Sequence, residues 1–416
     1  MAKKVNIGII GFGNIGSAVA DVIRKNHAVI LANTGLDLRI KKVCDVRRVK
    51  APFKVTSNAL SIINDPGISV IVEAVGGVDP ALKYIMSAIK HKKHVVTPNK
   101  EVIAKHMTEI LGAARKNRVQ VYFEGAVGGG IPIILPLRES LAGNQIAEIY
   151  GIVNGTTNYI LSKMSKEGKE FDVVLAEAKK KGYAEPDPTS DIKGYDAAYK
   201  AAILAATAFG AHVEQKDIYC EGITKISQED IQYADQIGYV IKLLAIARLV
   251  EGKLEVRVHP ALVGKEHPLA AVSDNYNAIY VKGYPVGELM FYGQGAGGNP
   301  TASAIISDII ATANIKSKNR SAKLKKAKLR KIDDISSRYY IRLEAPDKSG
   351  VLAGISRAFA SKKVSIAAVV QKEMVGNIAT IVILIHKVPE KNLKAALKIV
   401  SKLPVVKKIC NVIRII

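Results

Sequence analysis

The run GIIGFGNIG, Gly8 to Gly16, constrains this chain more than any other stretch. It sets Gly11, Gly13 and Gly16 in a G-x-G-x-x-G pattern between the strand-like KVNIGIIGF and a helical segment from Ile15 to Lys25. Glycine at the first position permits a tight turn. At the second it lets backbone approach a pyrophosphate, and at the third it lets helix pack on strand. The helix N-terminus then faces the phosphates. The pattern alone is a weak signal; its place after a first strand in a βαβ unit gives it weight. Gly11, Phe12, Gly13, Asn14, Ile15 and Gly16 are therefore the expected dinucleotide-binding turn.

The first third of the chain keeps this rhythm. LRIKKVCD, SVIVEAVG, KHVVTPNK and RVQVYFEG read as strands, with the helical PALKYIMSAIKH among them. Short apolar strands alternating with helices imply a parallel sheet covered on both faces. The second strand runs into Cys44-Asp45-Val46-Arg47-Arg48. Asp45 there suits the ribose hydroxyls of NAD, while Arg47 suits the 2′-phosphate of NADP, so both cofactors stand. From about residue 136 the texture becomes mixed α+β, and residues 301–314 read as a buried helix returning to the first domain. From Arg338 the order is βαββαβ. The expected division is 1–135 for dinucleotide binding, with the return helix 301–314. It continues with 136–300 for substrate, 315–336 as a basic linker and 337–416 as a final module.

Composition narrows the partners. The chain has 416 residues, 48% of them apolar, enough for two or three domains with real cores. No apolar run spans a bilayer, so no membrane segment is expected. The start enters a strand at once, with no signal-peptide pattern. Cys44, Cys220 and Cys410 are scattered with no C-x-x-C pair, as in a cytoplasmic protein without disulfides. The net charge is +24, yet aromatics are 6% with no tryptophan, which gives bases little to stack on. Much of the charge lies in Lys316 to Lys331, which reads as a solvated linker. No nucleic-acid partner is expected; the positive field suits small anions.

The chemistry concentrates in GYAEPDPTSDIKGYDAAYK, Gly182 to Lys200. Asp196 and Lys200 are four apart and share one helix face. The flanking alanines, Ile203, Leu204 and Phe209 place that face in a core. A buried lysine needs partners and its pKa moves easily, which makes Lys200 a candidate proton donor rather than half of a surface ion pair. Lys100, in TPNK after an apolar strand, is a second lysine at the carboxyl edge of the sheet, where cofactors bind. His91 and His94 read as surface residues, without further ligands for zinc. The glycine-rich FEGAVGGGIP, Phe123 to Pro132, offers backbone carbonyls to a hard cation but reads by itself only as a hinge.

Ala178 to Lys200 resembles the homoserine dehydrogenase signature at Ala178, Gly182, Asp187-Pro188, Asp191, Gly194, Asp196 and Lys200. GFGNIG, EAVGG, TPNK, GIVNGTTNYIL and GQGAGGNPTASA are similar to the same family, with Gln294 departing from a usual proline. The resemblance covers residues 4 to 314. It implies NAD(P)H-dependent reduction of L-aspartate 4-semialdehyde to L-homoserine, in threonine, methionine and isoleucine biosynthesis. Lys200 and Lys100 would then be catalytic. Glu185 would bind the substrate amino group, with Asp191, Asp196 and Gly182 completing the substrate site. Thr97, Lys100, Gly182, Gly293 and Gly295 would join the turn and Asp45 and Arg47 in holding the cofactor. The resemblance also implies a sodium-like ion at Glu124, Val127, Gly129 and Ile131, and a homodimer through the middle domain. The last module resembles an ACT domain, with Asp347, Gly350, Val351 and Leu352 at an effector site, threonine being the implied effector. Ser349 stands where proline is commoner.

Two other functions fit these residues less well. An acylating semialdehyde dehydrogenase needs a cysteine activated by histidine, and none of the three cysteines has that setting. A non-catalytic sensor of NAD and amino acids has no use for Lys100, Glu185, Asp191, Asp196 and Lys200 together.

Overall fold

The computed structural model describes residues 2–313, 324–371 and 378–416. Residues 316–323 of the lysine-rich segment 316–331, and the end of the strand expected at VSIAAVVQKEM, lie outside the described residues. The chain divides into two compact units. One comprises Met1–Val153, Ala198–Ile218 and Tyr276–Ala327; the other Asn154–Ala197, Tyr219–Asn275 and Lys328–Ile416.

The first unit holds the parallel sheet. Lys3–Ile10 lies inside it, with Leu36–Cys44 and then Lys54–Thr56 on one side. Val70–Glu73, His94–Val96 and Val121–Tyr122 follow on the other. The strand order reverses at Lys3–Ile10, so the glycine turn sits at the switch point of a doubly wound sheet. Ile7, Ile9, Val70, Ile71 and Val72 are almost wholly buried, as expected where helices cover both faces. Helix Asn14–Lys25 buries Gly16, Val19, Ala20 and Ile23, one stripe at helical spacing. Helix Gly298–Ala313 adds Ala302, Ile305, Ile306 and Ile309 to the same core. Each such isoleucine stabilises the fold by roughly 1.5–3 kcal/mol. The unit also contains Gln145–Ile152, antiparallel to Tyr276–Tyr284, which pairs antiparallel with Gly287–Gln294.

The second unit is built on a long hairpin, Tyr239–Val250 with Lys253–Gly264. Its two-residue turn has Glu251 and Gly252 at φ 51° and 72°, matching the strand twist. The final module follows the βαββαβ order through Ser336–Pro346, Val351–Ser361, Ile366–Gln371, Ile378–Pro389, Glu390–Val400 and Lys408–Ile415. In space Ser336–Pro346 lies between Lys408–Ile415 and Ile378–Pro389, and Ile366–Gln371 is outermost. The module's last strand also pairs in parallel with Lys253–Gly264, Ala261 opposite Arg414 and Leu262 opposite Ile415. One sheet thus runs from the hairpin into the module. The α/β class with a mixed sheet and a ferredoxin-like last module is the one read from the sequence. No helix among the described residues is long and apolar enough to cross a membrane.

Candidate active site

The glycine turn has the build a dinucleotide needs. Gly11 has φ +94°, and a Cβ on Gly16 would lie 2.0 Å from the Gly11 carbonyl oxygen. Both positions therefore admit only glycine. Asp45, at the end of the second strand, accepts from the Phe12 N–H at 2.9 Å and ties the turn to the sheet. Arg47 pairs with both oxygens of the same carboxylate, Nε to Oδ1 and Nη2 to Oδ2, each at 2.9 Å. The Arg47 guanidinium holds the Asp45 carboxyl well below the usual carboxylate range. Its Nη2 lies 3.3 Å from where a Gly13 Cβ would be, so the cation stands over the turn. Asn14 and Gln294 line a cleft of about 560 Å³ with Gly298 and Asn299. Gly295 is buried, while Gly293 and Ile15 are half-buried.

At the next two strand ends the structure adds a contact that the sequence did not mark. Glu73 is buried and accepts from Val75 N–H at 2.7 Å and from the Thr97 hydroxyl at 2.6 Å. Burial raises its pKa, against the pull of those donors. The Thr97 hydroxyl also accepts from Asn99 N–H, and the Asn99 side chain caps Lys100–Asn117 by accepting from Val102 N–H. Lys100 is therefore the first residue of a helix at the carboxyl edge of the sheet, held there by a capped turn. His94 is half-buried rather than a surface group, because its Nδ1 accepts from Gln120 N–H on the neighbouring chain segment.

The glycine-rich loop is buried too. Glu124 is 1% exposed and its carboxylate accepts the N–H groups of Ile133, Ile134 and Leu135, which opens the helix Ile134–Arg138. Its side chain is thus committed, and a cation here would take backbone carbonyls. Val127 and Ile131 are buried, and a Cβ on Gly129 would lie 2.5 Å from the Gly295 backbone. Asp308 Oδ2 accepts from Glu124 N–H, while its buried Oδ1 has no hydrogen-bond partner among the described residues. Burial drives its pKa well up.

Helix Tyr195–Phe209 carries Asp196 and Lys200 one turn apart. Lys200 is 8% exposed and donates to the Val153 carbonyl at 2.6 Å. In the second unit, Asn154 Nδ2 donates to Asp191 Oδ1 at 2.7 Å and to Asp196 Oδ2 at 2.8 Å. Glu185 and Gly182 are exposed on the loop before them, Gly182 with φ +74°.

The sequence matches the family profile described as homoserine dehydrogenase over residues 132–310 and its NAD-binding domain over 11–124. Residues 339–405 match the ACT domain. A homoserine dehydrogenase of a Synechocystis species is 43% identical, over 99% of both chains. The chain belongs to the homoserine dehydrogenase family. The crystal structure of a homoserine dehydrogenase from Thiobacillus denitrificans superposes with a TM-score of 0.94 at 40% identity, covering 100% of this chain and 98% of that one. A hyperthermophilic archaeal homoserine dehydrogenase in complex with NADPH superposes with a TM-score of 0.65 at 29% identity, over 76% of this chain and all of that one. The enzyme is thus an NAD(P)-dependent oxidoreductase with an ACT module. In that module Gly350, φ +89°, opens helix Val351–Ser361, and Asp347 accepts from Gln371 Nε2 at 3.0 Å. Val351 is buried and Leu352 exposed.

Three residues of weight were missed in the sequence: Glu73, Asp308 and Asn154. Glu73 and Asp308 sit in apolar runs, where a lone acid leaves no periodic trace. Asn154 had a readable signal, an asparagine just before the helical GTTNYILSKM, the usual place of an N-cap.

Proposed function

We propose that the enzyme reduces L-aspartate 4-semialdehyde to L-homoserine with Lys200 as the proton donor. The observation that carries this reading is the buried Lys200 ammonium, fixed by the Val153 carbonyl one turn along its helix from Asp196. When bound, the reduced nicotinamide supplies a hydride to the aldehyde carbon. The carbonyl oxygen then gains charge, and the lysine ammonium gives it the proton that completes the alcohol. Such a donor is worth roughly 10²–10⁴-fold in rate. Glu185, Asp191 and Asp196 take the substrate ammonium, and Lys100 is the second cation toward the aldehyde oxygen. With homoserine and NADP, Lys200→Ala is expected to lower kcat by two to four orders of magnitude (about 10²–10⁴-fold) while cofactor binding stays intact. Unchanged turnover in this variant would move the proton to Lys100 or water.

NADP is the preferred cofactor in this reading. Asp45, the usual ribose ligand, has both oxygens engaged by Arg47, and a guanidinium is the group that suits a 2′-phosphate. Arg47→Ala is expected to raise KM for NADP and lower it for NAD; equal effects on both would remove the preference. A sodium ion is proposed on the carbonyls of Glu124, Val127, Gly129 and Ile131; Asp308, whose Oδ2 accepts from Glu124 N–H, keeps a buried Oδ1 with no hydrogen-bond partner among the described residues. Replacing sodium chloride by choline chloride tests it through the thermal midpoint. Threonine is the proposed effector at Asp347, Gly350, Val351 and Leu352, and a cytoplasmic homodimer the proposed assembly. No inhibition and no binding at millimolar threonine would leave the ACT module as a pairing element.

A further inference from the structure

Two consecutive residues orient three of the charged groups assigned above. The Val153 carbonyl holds Lys200, and the Asn154 amide holds Asp191 and Asp196. Asn154 is 5% exposed. Its direction is fixed from the far end. Oδ1 accepts the Thr157 N–H at 2.9 Å and the Thr157 hydroxyl at 2.9 Å. A backbone N–H can be met only by the oxygen, so the NH₂ group must face the carboxylates. That group has two hydrogens, and each meets one carboxylate oxygen. The carboxylates also lie at the positive end of helix Gly155–Glu167, which Asn154 caps.

We infer that Asn154 is a positioning residue for the reaction. It holds Asp191 and Asp196 side by side so that the substrate ammonium meets a fixed pair of oxygens. The inference rests on the reading that Asp191 and Asp196 take that ammonium. Without the amide, two like charges are left to move apart, and the substrate ammonium loses its fixed seat. A displacement of about 1 Å costs on the order of 10²-fold in rate. The cap and the clamp are separable by substitution. Aspartate and serine both cap helices as well as asparagine does. Aspartate offers the carboxylates no N–H, and serine offers a single hydrogen.

The test uses the full-length enzyme, with homoserine oxidation followed for wild type, Asn154→Asp and Asn154→Ser. KM for homoserine, KM for NADP and the thermal midpoint are measured for each. Asn154→Asp is expected to raise KM for homoserine at least about tenfold and to lower kcat/KM about 10²-fold. KM for NADP should stay the same, with Asn154→Ser in between. A purely structural role would lower the amount of folded enzyme and leave KM for homoserine unchanged; that result, or wild-type kinetics, overturns the inference. If Asn154→Asp does not fold, folded Asn154→Ser decides by the same KM. A wild type that does not turn over homoserine would instead sink the reaction assignment, and this inference with it.

Discussion

The parallel sheet of the first unit and the mixed sheet of the second are held together by different means. In the first, the inner strands bury isoleucine and valine almost without interruption. In the second, the strands bury Glu255, Arg257, His259, Arg342 and Arg414, each at most 5% exposed. Arg342 donates to the fully buried Asp230 at 2.7 Å and to Ser227 at 2.9 Å. Tyr340 and Asn411 add hydrogen bonds to the same carboxylate. Arg414 bridges Glu390, within the ACT module, and Glu221, outside it. The apolar sheet gains its stability from area and tolerates changes of shape. The polar one gains little net stability from each pair, because both ions are desolvated, but removing one partner leaves the other charge buried and uncompensated. That contrast falls where the ACT module joins the rest of its unit: buried charges from both sides of the join meet there.

The sharpest way to break this comparison is Arg342→Met. It leaves Asp230 buried without its cation and is expected to cost about 3–5 kcal/mol, read from the urea midpoint at constant m-value. Adding Asp230→Asn should recover most of that loss, since the asparagine oxygen can still accept from Ser227 N–H in the capping box of helix Gln228–Gln236. A single variant that loses less than about 1 kcal/mol would make the pair no better than a surface one.

The same contrast explains what the sequence disclosed. The strands around Lys3–Ile10 were legible because continuous apolar runs have one simple meaning, burial on both faces. Helix Tyr195–Phe209 was legible for the same reason, and Lys200 stood out against its alanines. RYYIRLEA is readable as a strand, but nothing in its pattern marks Arg342 as buried. In the structure Arg342 is buried, because its partner Asp230 lies 112 residues away in the chain. Periodicity reports the burial of hydrocarbon; a buried ion pair between distant segments imitates a solvated face. Asp191 and Asp196 were marked by the resemblance of Ala178 to Lys200 to the family signature; the amide that holds them was not marked, since Asn154 is 37 residues from Asp191.

Lys242 gives a second, pH-dependent test. It is buried in the hairpin strand Tyr239–Val250 and donates to the Val272 carbonyl and the Asn158 side chain. Burial lowers its pKa from 10.5 to about 8, with Lys166 lowering it further and Asp274 opposing. The unfolded chain therefore binds more protons between pH 8 and 10.5, so stability rises with pH across that window. The full difference is on the order of 3 kcal/mol, present as a penalty below pH 8. Lys242→Met should remove this rise, although at neutral pH it also strips the Val272 carbonyl of its donor. A pH slope identical in the two proteins would show that the lysine is not the titrating group.

The smallest expected effect lies in the parallel sheet and is the control for both. Ile9 is fully buried on the strand that enters the glycine turn, and its Cγ2 lies 3.3 Å from where a Gly16 Cβ would stand. Ile9→Val removes one methylene from that packing and is expected to cost about 0.5–1.5 kcal/mol. No charge is exposed or buried, so the loss should be equal at pH 7 and pH 10, unlike that of Lys242→Met. No second substitution of a polar partner should recover it, unlike Arg342→Met. If the Ile9→Val loss does vary with pH, the first unit also stores electrostatic energy near the turn, with the buried Glu73, opposite Ile10 on the neighbouring strand, as its source. The division between an apolar sheet and a charge-specified one would then fail at the cofactor end of the molecule.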